Sequence, residues 1–460
     1  MVYVKDTSVE NTQNDTNKTS GLYVAGYNNY GQLFTKNTTK QMYLTKVQEN
    51  NNIITMASTK NTSYQTSAIA DDLGLVYTVG YNGNGEMGNE TLESLTVPVC
   101  ISKLKIKVNP NVINYKEIGQ NDEKITYEMT MGFNLIKYSI EGGTYKYTSL
   151  DTKVAEVSED GVVTANGIGN TYIKIHNEEN DIWAAVRVNV NGTQGQTQPK
   201  VVGGSNHFVA LKANGEVYSW GYNGYGQLAD GTTTSSNTFK KANISDVIAI
   251  SAGSSTMHAL KKDGTVWSWG LNSYGEYGNN ATSSLANYVP CKMSKIPNIM
   301  QLASGESHIA MIAADGSVWA VGRNGEGQLG LGNTTDIYVP TQMVSKTGSG
   351  ILTGVKEISC NIYSTSLITD SGDVYAVGQN NYGQLATKDT QNKSVIVPML
   401  DSSSAQLKNV NHIYSAGYAT FATKNENGLY VTGYASCAQN FTQSTSTRKY
   451  LYKTQENKKI

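Results

Sequence analysis

Two stretches of this chain fit a phosphate-cradling pattern, Gly83-x-Gly85-x-x-Gly88 and Gly325-x-Gly327-x-x-Gly330. Such glycines hold a dinucleotide only where a strand leads in and a helix leads out, because the helix N-terminus takes the pyrophosphate. Both loops run instead into Thr- and Asn-rich sequence without helical periodicity, so they read as turns and no cofactor is called for. The histidines are His176, His207, His258, His308 and His412, too dispersed for a metal-ligand spacing. No nucleophile, base and orienter are marked as a set, so the reading names no catalytic residue and no metal site. Cys100, Cys291, Cys360 and Cys437 include no CxxC pair, and Cys100 and Cys291, each just past a proline, read as small buried fillers.

Tyrosine is the unusual residue, with 30 Tyr against 6 Phe. Tyr27, Tyr81, Tyr222 and Tyr434 each follow a glycine, as does Arg323, while Tyr30, Tyr225, Tyr274 and Tyr382 each precede one. Rings that carry both an apolar body and a hydroxyl suit recognition surfaces. Together these nine residues form the candidate binding rim. Tryptophan is sparser and pairs by column, Trp220 with Trp269 and Trp267 with Trp319, which predicts filler between packed sheets.

The elements that must position these side chains are announced by a repeat. A glycine, alternating apolar or aromatic residues and a second glycine recur as a phrase beginning at Gly21, Gly74, Gly215, Gly264, Gly316, Gly372 and Gly428. Five of the intervals lie near fifty residues; the one from Gly74 to Gly215 is longer by about ninety, the size of a small domain. After six of the phrases comes Asn-x-x-Gly-(Gln/Glu), from Asn28 to Gln32 in the first and from Asn380 to Gln384 in the last, which is turn chemistry. His207, His308, Thr66, Thr256, Ser364 and Thr420 stand eight residues before the phrase glycine and read as hydrogen-bonding struts for the inner strands. Pro98, Pro290, Pro340 and Pro398 lack the N–H a central ladder needs, so they are expected in outer connections. Period-two patterning between glycines says all-β, with several short strands per unit.

The fullest copy runs Ala303-Ser-Gly-Glu-Ser-His308, then Asp315-Gly-Ser-Val-Trp-Ala-Val-Gly-Arg-Asn-Gly-Glu-Gly-Gln-Leu-Gly330. It resembles the regulator of chromosome condensation repeat, over residues 21–100 and 200–440. The resemblance implies a seven-bladed β-propeller, four-stranded sheets around an axial channel, with about fifty residues per repeat. It also implies action through one face, since family members catalyse guanine-nucleotide exchange on a small GTPase or plug a β-lactamase; none of their contact residues maps onto this sequence. The polar segment 1–20 holds no glycine-led inner strand. The pieces Met1 to Val9 and Arg448 to Gln455 are therefore expected to complete one blade, unless the chain is cut from a longer parent; 441–460 forms a C-terminal segment.

Within the long interval, Tyr147-Thr-Ser-Leu-Asp-Thr-Lys-Val-Ala-Glu-Val157, Asp160-Gly-Val-Val-Thr-Ala165 and Tyr172-Ile-Lys-Ile175 resemble the group 2 bacterial immunoglobulin-like domain. That implies a β-sandwich over 101–192, inserted between the second and third repeats, with 193–199 as its exit linker.

Lys and Arg number 36 against 37 Asp and Glu, a formal net charge of −1, so nothing points to nucleic acid. No stretch reaches the roughly eighteen apolar residues of a membrane span, and no signal-peptide core opens the chain. Immunoglobulin-like inserts of this kind belong mostly to secreted or surface proteins of bacteria, so the expected location is extracellular, with any signal removed or upstream. The expected function is a non-enzymatic binding scaffold that takes a protein partner through one propeller face. The alternatives are a glycan-binding adhesin or glycan-active protein, and a cytoplasmic regulator of a small GTPase.

Overall fold

A computed structural model describes residues 2–4, 21–26, 28–48, 53–59, 64–71, 75–105, 145–152, 155–159, 163–165, 170–177, 182–189, 199–297, 299–313, 315–345, 350–424, 428–434 and 448–453. Every named element among them is a β-strand. Six four-stranded antiparallel sheets follow one another along the chain. They are blade II (53–105), blade III (200–241), blade IV (247–292), blade V (299–342), blade VI (355–398) and blade VII (410–453). In each, strand order follows sequence order, so the first strand lies innermost and the fourth outermost.

Seven equal blades were expected, and the structure differs. The first repeat gives sheet I, three strands at Val2–Val4, Gly21–Gly26 and Gln41–Gln48, with no innermost strand among the described residues. The two chain ends also do not share a blade. Val2–Val4 pairs with Gly21–Gly26, and Arg448–Lys453 pairs with Gly428–Gly433. The last repeat carries its own fourth strand, which leaves no vacancy there for the N-terminus.

The phrase glycines and strand patterning explain the blade. Strands such as His308–Ala313 are buried at every position because each lies between two sheets. Apolar clusters then form across neighbouring blades: Leu22 and Val24 of sheet I meet Ile69 and Val79 of blade II, and Val318 and Leu329 of blade V meet Leu367 and Ile396 of blade VI. Trp220 and Trp269 are fully buried between blades, and their Nε1 atoms donate to the backbone oxygens of Glu86 (2.7 Å) and Gln227 (2.9 Å) in the preceding blades. Trp267 and Trp319 are only half-buried and bond locally to Thr265 and Ser317; Trp319 still packs on the core shared by blades IV and V, whereas Trp267 joins no such core among the described residues.

The four prolines lie inside or at the end of the outermost strands rather than in connections. An outermost strand is a sheet edge, where a missing N–H breaks no ladder. Cys100 and Cys291 are half-buried and only Cys360 is buried; all three are free thiols, and Cys437 lies outside the described residues.

The insert is described in part. Tyr145–Ser149, Asn170–Asn177 and Ile182–Asn189 make one antiparallel sheet, and Ala155–Val157 pairs with Val163–Ala165 in another. Residues 106–144 and the expected linker lie almost wholly outside the described residues, so the complete sandwich is not on view. The insert leaves the ring between blades II and III. It nonetheless touches blades V and VI, where Leu150 and Tyr172 pack on their shared core and Lys174 Nζ lies 3.6 Å from Asp370.

Candidate functional site: a tyrosine-bearing face

Strand direction sorts the loops onto two faces. The loops between first and second strands and the turns between third and fourth open on one face; the other connections open on the opposite one. The candidate rim sits on the first. The insert enters and makes its contacts on the second, because Asp370 follows a second strand and Gly316, beside Lys174, precedes a third.

Six of the turns between third and fourth strands are built by their asparagines. Asn324 is fully buried; its Nδ2 donates to the carbonyls of Asn333 (3.1 Å) and Thr335 (3.0 Å), and its Oδ1 accepts from the Leu329 amide (3.0 Å). Asn28, Asn82, Asn223 and Asn380 repeat this arrangement. The residue at the end of the motif braces the turn tip, as Gln32, Gln227, Gln328 and Gln384 accept the amide of the residue two before. Glu86 and Glu276 do the same with carboxylates. Burial lifts Glu276 to about 7, against hydrogen bonds from its own amide and that of Tyr274, and raises Glu86 as well.

The dinucleotide pattern is resolved by these turns. Gly85 and Gly327 have φ of +82° each, and a Cβ on them would stand 2.7 Å from Asn237 Cα and 2.6 Å from Ser394 Cα in the next blade. The glycines admit a neighbouring strand, not a phosphate. No helix follows either loop.

The pairing register corrects one alignment. Thr66, His207, Thr256, His308 and Ser364 lie opposite the second glycine of their phrases, but Ala419 holds that place in blade VII. That phrase is one residue shorter, so Thr420 instead matches Thr365, and the two hydroxyls donate to the Gln384 and Gln328 carbonyls of the preceding blades. The strut reading holds for buried Thr66 and Thr256, which bond to the Tyr81 and Leu271 carbonyls. His207 Nε2 lies 3.1 Å from Met257 Sδ and His308 Nε2 lies 3.2 Å from Thr365 Oγ1, contacts that reach the next blade.

The rim residues converge unevenly. Tyr30 of sheet I meets Tyr81 of blade II at a ring separation of 5.3 Å, and Tyr64 closes the group at 4.7 Å from Tyr81. Between blades VI and VII, Tyr382 meets Tyr434 at 4.8 Å and Tyr418 at 4.7 Å. Tyr222 and Tyr225 form an edge-on pair at 6.1 Å within blade III. Arg323 stands 4.3 Å from the Tyr363 ring and 5.7 Å from that of Tyr274. Its guanidinium lies 3.9 Å from Glu326. Tyr27 lies outside the described residues. Sequence reasoning missed Tyr64, Tyr363 and Tyr418, which sit in loops of varying composition between first and second strands; the only signal there is tyrosine itself.

The electrostatics of the face lean acidic at the tyrosines. Burial, together with the nearby Glu306 carboxylate, pushes Tyr363 up to about 12. Burial and the nearby rings and carboxylate raise Tyr418, while burial and Glu86 raise Tyr81. Loops of successive blades are joined around the channel mouth by backbone bonds, Ser205 to Ser254, Ser254 to Glu306 and Glu306 to Ile362, so the face is held as a collar. Among the described residues no three His, Cys, Asp or Glu cluster as a metal site would require, and no helix is long and apolar enough to cross a membrane.

A family model of the regulator of chromosome condensation repeat matches residues 214–260, 263–312, 315–367 and 371–423, and a second model of that repeat matches 200–227, 247–276 and 299–328. The chain carries regulator of chromosome condensation repeats. Each longer match starts near the third strand of one blade and ends near the second of the next, so every sequence unit ties two blades together. In the insert, the intimin immunoglobulin-like model matches 132–178, which supports an immunoglobulin-like module from a family other than the one its motifs resemble. The ultraviolet-B receptor UVR8 of Arabidopsis thaliana is 28% identical over 193 residues, 42% of this chain and 32% of the receptor. An X-linked retinitis pigmentosa GTPase regulator homolog of Caenorhabditis elegans is 30% identical over 188 residues, 40% of this chain and 10% of that protein. The structure of Prp20p from Saccharomyces cerevisiae, reported with its binding properties to Gsp1p and histones, superposes with TM-score 0.60 at 14% identity, covering 95% of this chain and 86% of that one. Identity that low shows the fold alone. The chain spans a third or less of the two curated relatives.

Proposed function

We propose that this chain is a non-enzymatic scaffold that recognises a protein through its tyrosine-bearing face. One observation carries the reading: tyrosines from separate repeats interlock into clusters on the face opposite the insert's contacts. Packed aromatic rings with satisfied backbone beneath them are the composition of binding hot spots. The ring clusters meet at tilted and edge-on angles. That geometry favours a protein over a glycan, which stacks on open flat rings. The seven-bladed closure, the sandwich over 101–192 and display outside a bacterial cell belong to this same proposal, the last resting on the immunoglobulin-like match. A cytoplasmic GTPase regulator is the second reading, favoured by the name of the nematode relative.

The test is affinity capture with the whole chain as bait, against extracellular proteins and against cytosol. A parallel bait has Tyr30, Tyr225, Tyr274 and Tyr382 replaced by Ala. Capture of one saturable species lost by the variant supports the tyrosine face; capture indifferent to the variant moves the site elsewhere. A nucleotide-binding partner from cytosol alone replaces the scaffold reading with the regulator reading.

A further inference from the structure

We propose that the Tyr382–Tyr418–Tyr434 cluster, beside Glu306, docks an arginine or lysine side chain of the partner. The inference rests on the protein-recognition reading above and narrows the partner to one with an exposed basic segment. Its basis is an occupied copy of the same place one blade earlier.

The amides of Gln379 and Tyr434 bond to the carbonyls of Tyr363 (2.9 Å) and Tyr418 (3.0 Å) in matching positions, so Tyr363 and Tyr418 are equivalent residues of blades VI and VII. Over Tyr363 the chain places its own cation, Arg323, at 4.3 Å, with Glu326 on its other side. The residue one blade on from Arg323 is Gln379, which is buried, uncharged and bonded to Gln384. So the blade VI to VII junction has the rings but not the cation. Among the described residues, cations stand over the rings of Tyr218, Trp267, Tyr274, Tyr363, Tyr430 and Tyr450, and over none of Tyr382, Tyr418 and Tyr434.

The chemistry of the place is suited to positive charge. Three half-buried tyrosine rings gather with centroids 4.7 to 6.3 Å apart, meeting at tilted and edge-on angles, and each ring carries a negative quadrupole that a cation beside the cluster can use. The Glu306 amide bonds the Ile362 carbonyl at 3.1 Å, next to Tyr363, and its half-buried carboxylate contributes to raising both Tyr363 and Tyr418, which brings a negative charge to the edge of the cluster. A guanidinium both stacks on an aromatic face and pairs with a carboxylate, as Arg323 does with Tyr363 and Glu326. An acidic or purely apolar segment would leave Glu306 without a counter-charge at the interface.

The experiment is fluorescence anisotropy on the full chain with labelled peptides that alternate Arg and Gly, citrulline and Gly, or Glu and Gly. Citrulline keeps the planar shape of arginine and removes its charge. The expected result is saturable, salt-sensitive binding of the Arg peptide, weakened about tenfold or more by citrulline, with no binding of the Glu peptide. Tyr418→Leu is expected to weaken the Arg peptide about tenfold, and Glu306→Gln about threefold; Glu306→Gln lies in a loop and tests the site should the tyrosine variant misfold. Equal binding of the citrulline peptide, or no binding of the Arg peptide, overturns the inference. Capture that needs the rim tyrosines but tolerates citrulline or high salt leaves protein recognition standing and removes this inference alone. Capture indifferent to the tyrosines removes both.

Discussion

Replacing Glu276 by Gln should stabilise the ring, and more so as pH rises. The position is 2% exposed, and its Oε2 accepts the Tyr274 amide at 2.9 Å, the bond that four other repeats make with glutamine. Burial is the largest cause of its raised pKa, from 4.5 to about 7, and the charge of Asp336 adds to it. The folded state therefore holds this proton more tightly than the unfolded chain. The associated stability is fully present below about pH 4.5 and is lost as pH climbs through about 7. At 1.36 kcal/mol per unit the loss reaches about 3 kcal/mol by pH 8, taken as a ceiling because the site relaxes. Glutamine keeps the acceptor, removes the titrating charge and ends its repulsion by Asp336. Urea unfolding of both proteins between about pH 5 and pH 8 should show them converging at the acid end and the variant ahead at the basic end. A pH-independent difference, or a variant weaker at about pH 8, would refute the assignment of a buried, uncompensated carboxyl to this turn.

Three further perturbations follow from the packing between blades. Trp220→Phe keeps an aromatic ring but removes the pyrrole half of the indole and strands the buried Glu86 carbonyl that Nε1 contacts at 2.7 Å; a loss of about 1–3 kcal/mol or more by urea unfolding is expected. Gly327→Ala must hold φ +82° with a Cβ 2.6 Å from Ser394 Cα, and a loss of about 2 kcal/mol or more, read as a lower melting temperature, is expected. Glu357 joins the innermost strands of blades VI and VII, accepting the Ile413 amide at 2.8 Å and lying 3.1 Å from His412 Nδ1. Glu357→Ala should speed hydrogen exchange at the Ile413 amide while leaving that of Ser415, held by Ser359, unchanged.

The repeat made the blades legible because the residues that recur are those the backbone requires. Asn324 closes a turn, Gly327 admits the next strand, and Leu329 fills the core beneath them; each is fixed by a local demand that appears in every copy. The misread positions are those where a local cue has two spatial outcomes. Trp267 and Trp269 are two residues apart on one strand face, yet one is half-exposed near the strand start and the other sealed between blades. Distance along the strand, which period-two patterning does not encode, separates them. The slip at Thr420 has a similar cause: a strand shortened by one residue keeps its glycines, and only the register shows which partner each residue faces.

The candidate site was half legible for a different reason. Residues after the second glycine belong to the repeat, so Tyr81, Arg323 and Tyr434 could be found by counting. Tyr64, Tyr363 and Tyr418 belong to loops whose composition the fold leaves free; Tyr64 and Tyr418 reach Tyr81 and Tyr434 once strands pair within their own blades, and Tyr363 reaches Arg323 once blades pack side by side. The scaffold demands an amide bond at Tyr363 and Tyr418, and asks nothing of the rings. Side chains there are open to selection by a partner at little cost in stability. That freedom is why one junction holds an arginine over its tyrosine and the next holds three tyrosines and a carboxylate. In a ring built from copies, the information that sets one partner apart from another has to sit where the copies are allowed to differ, and on this face they differ in charge.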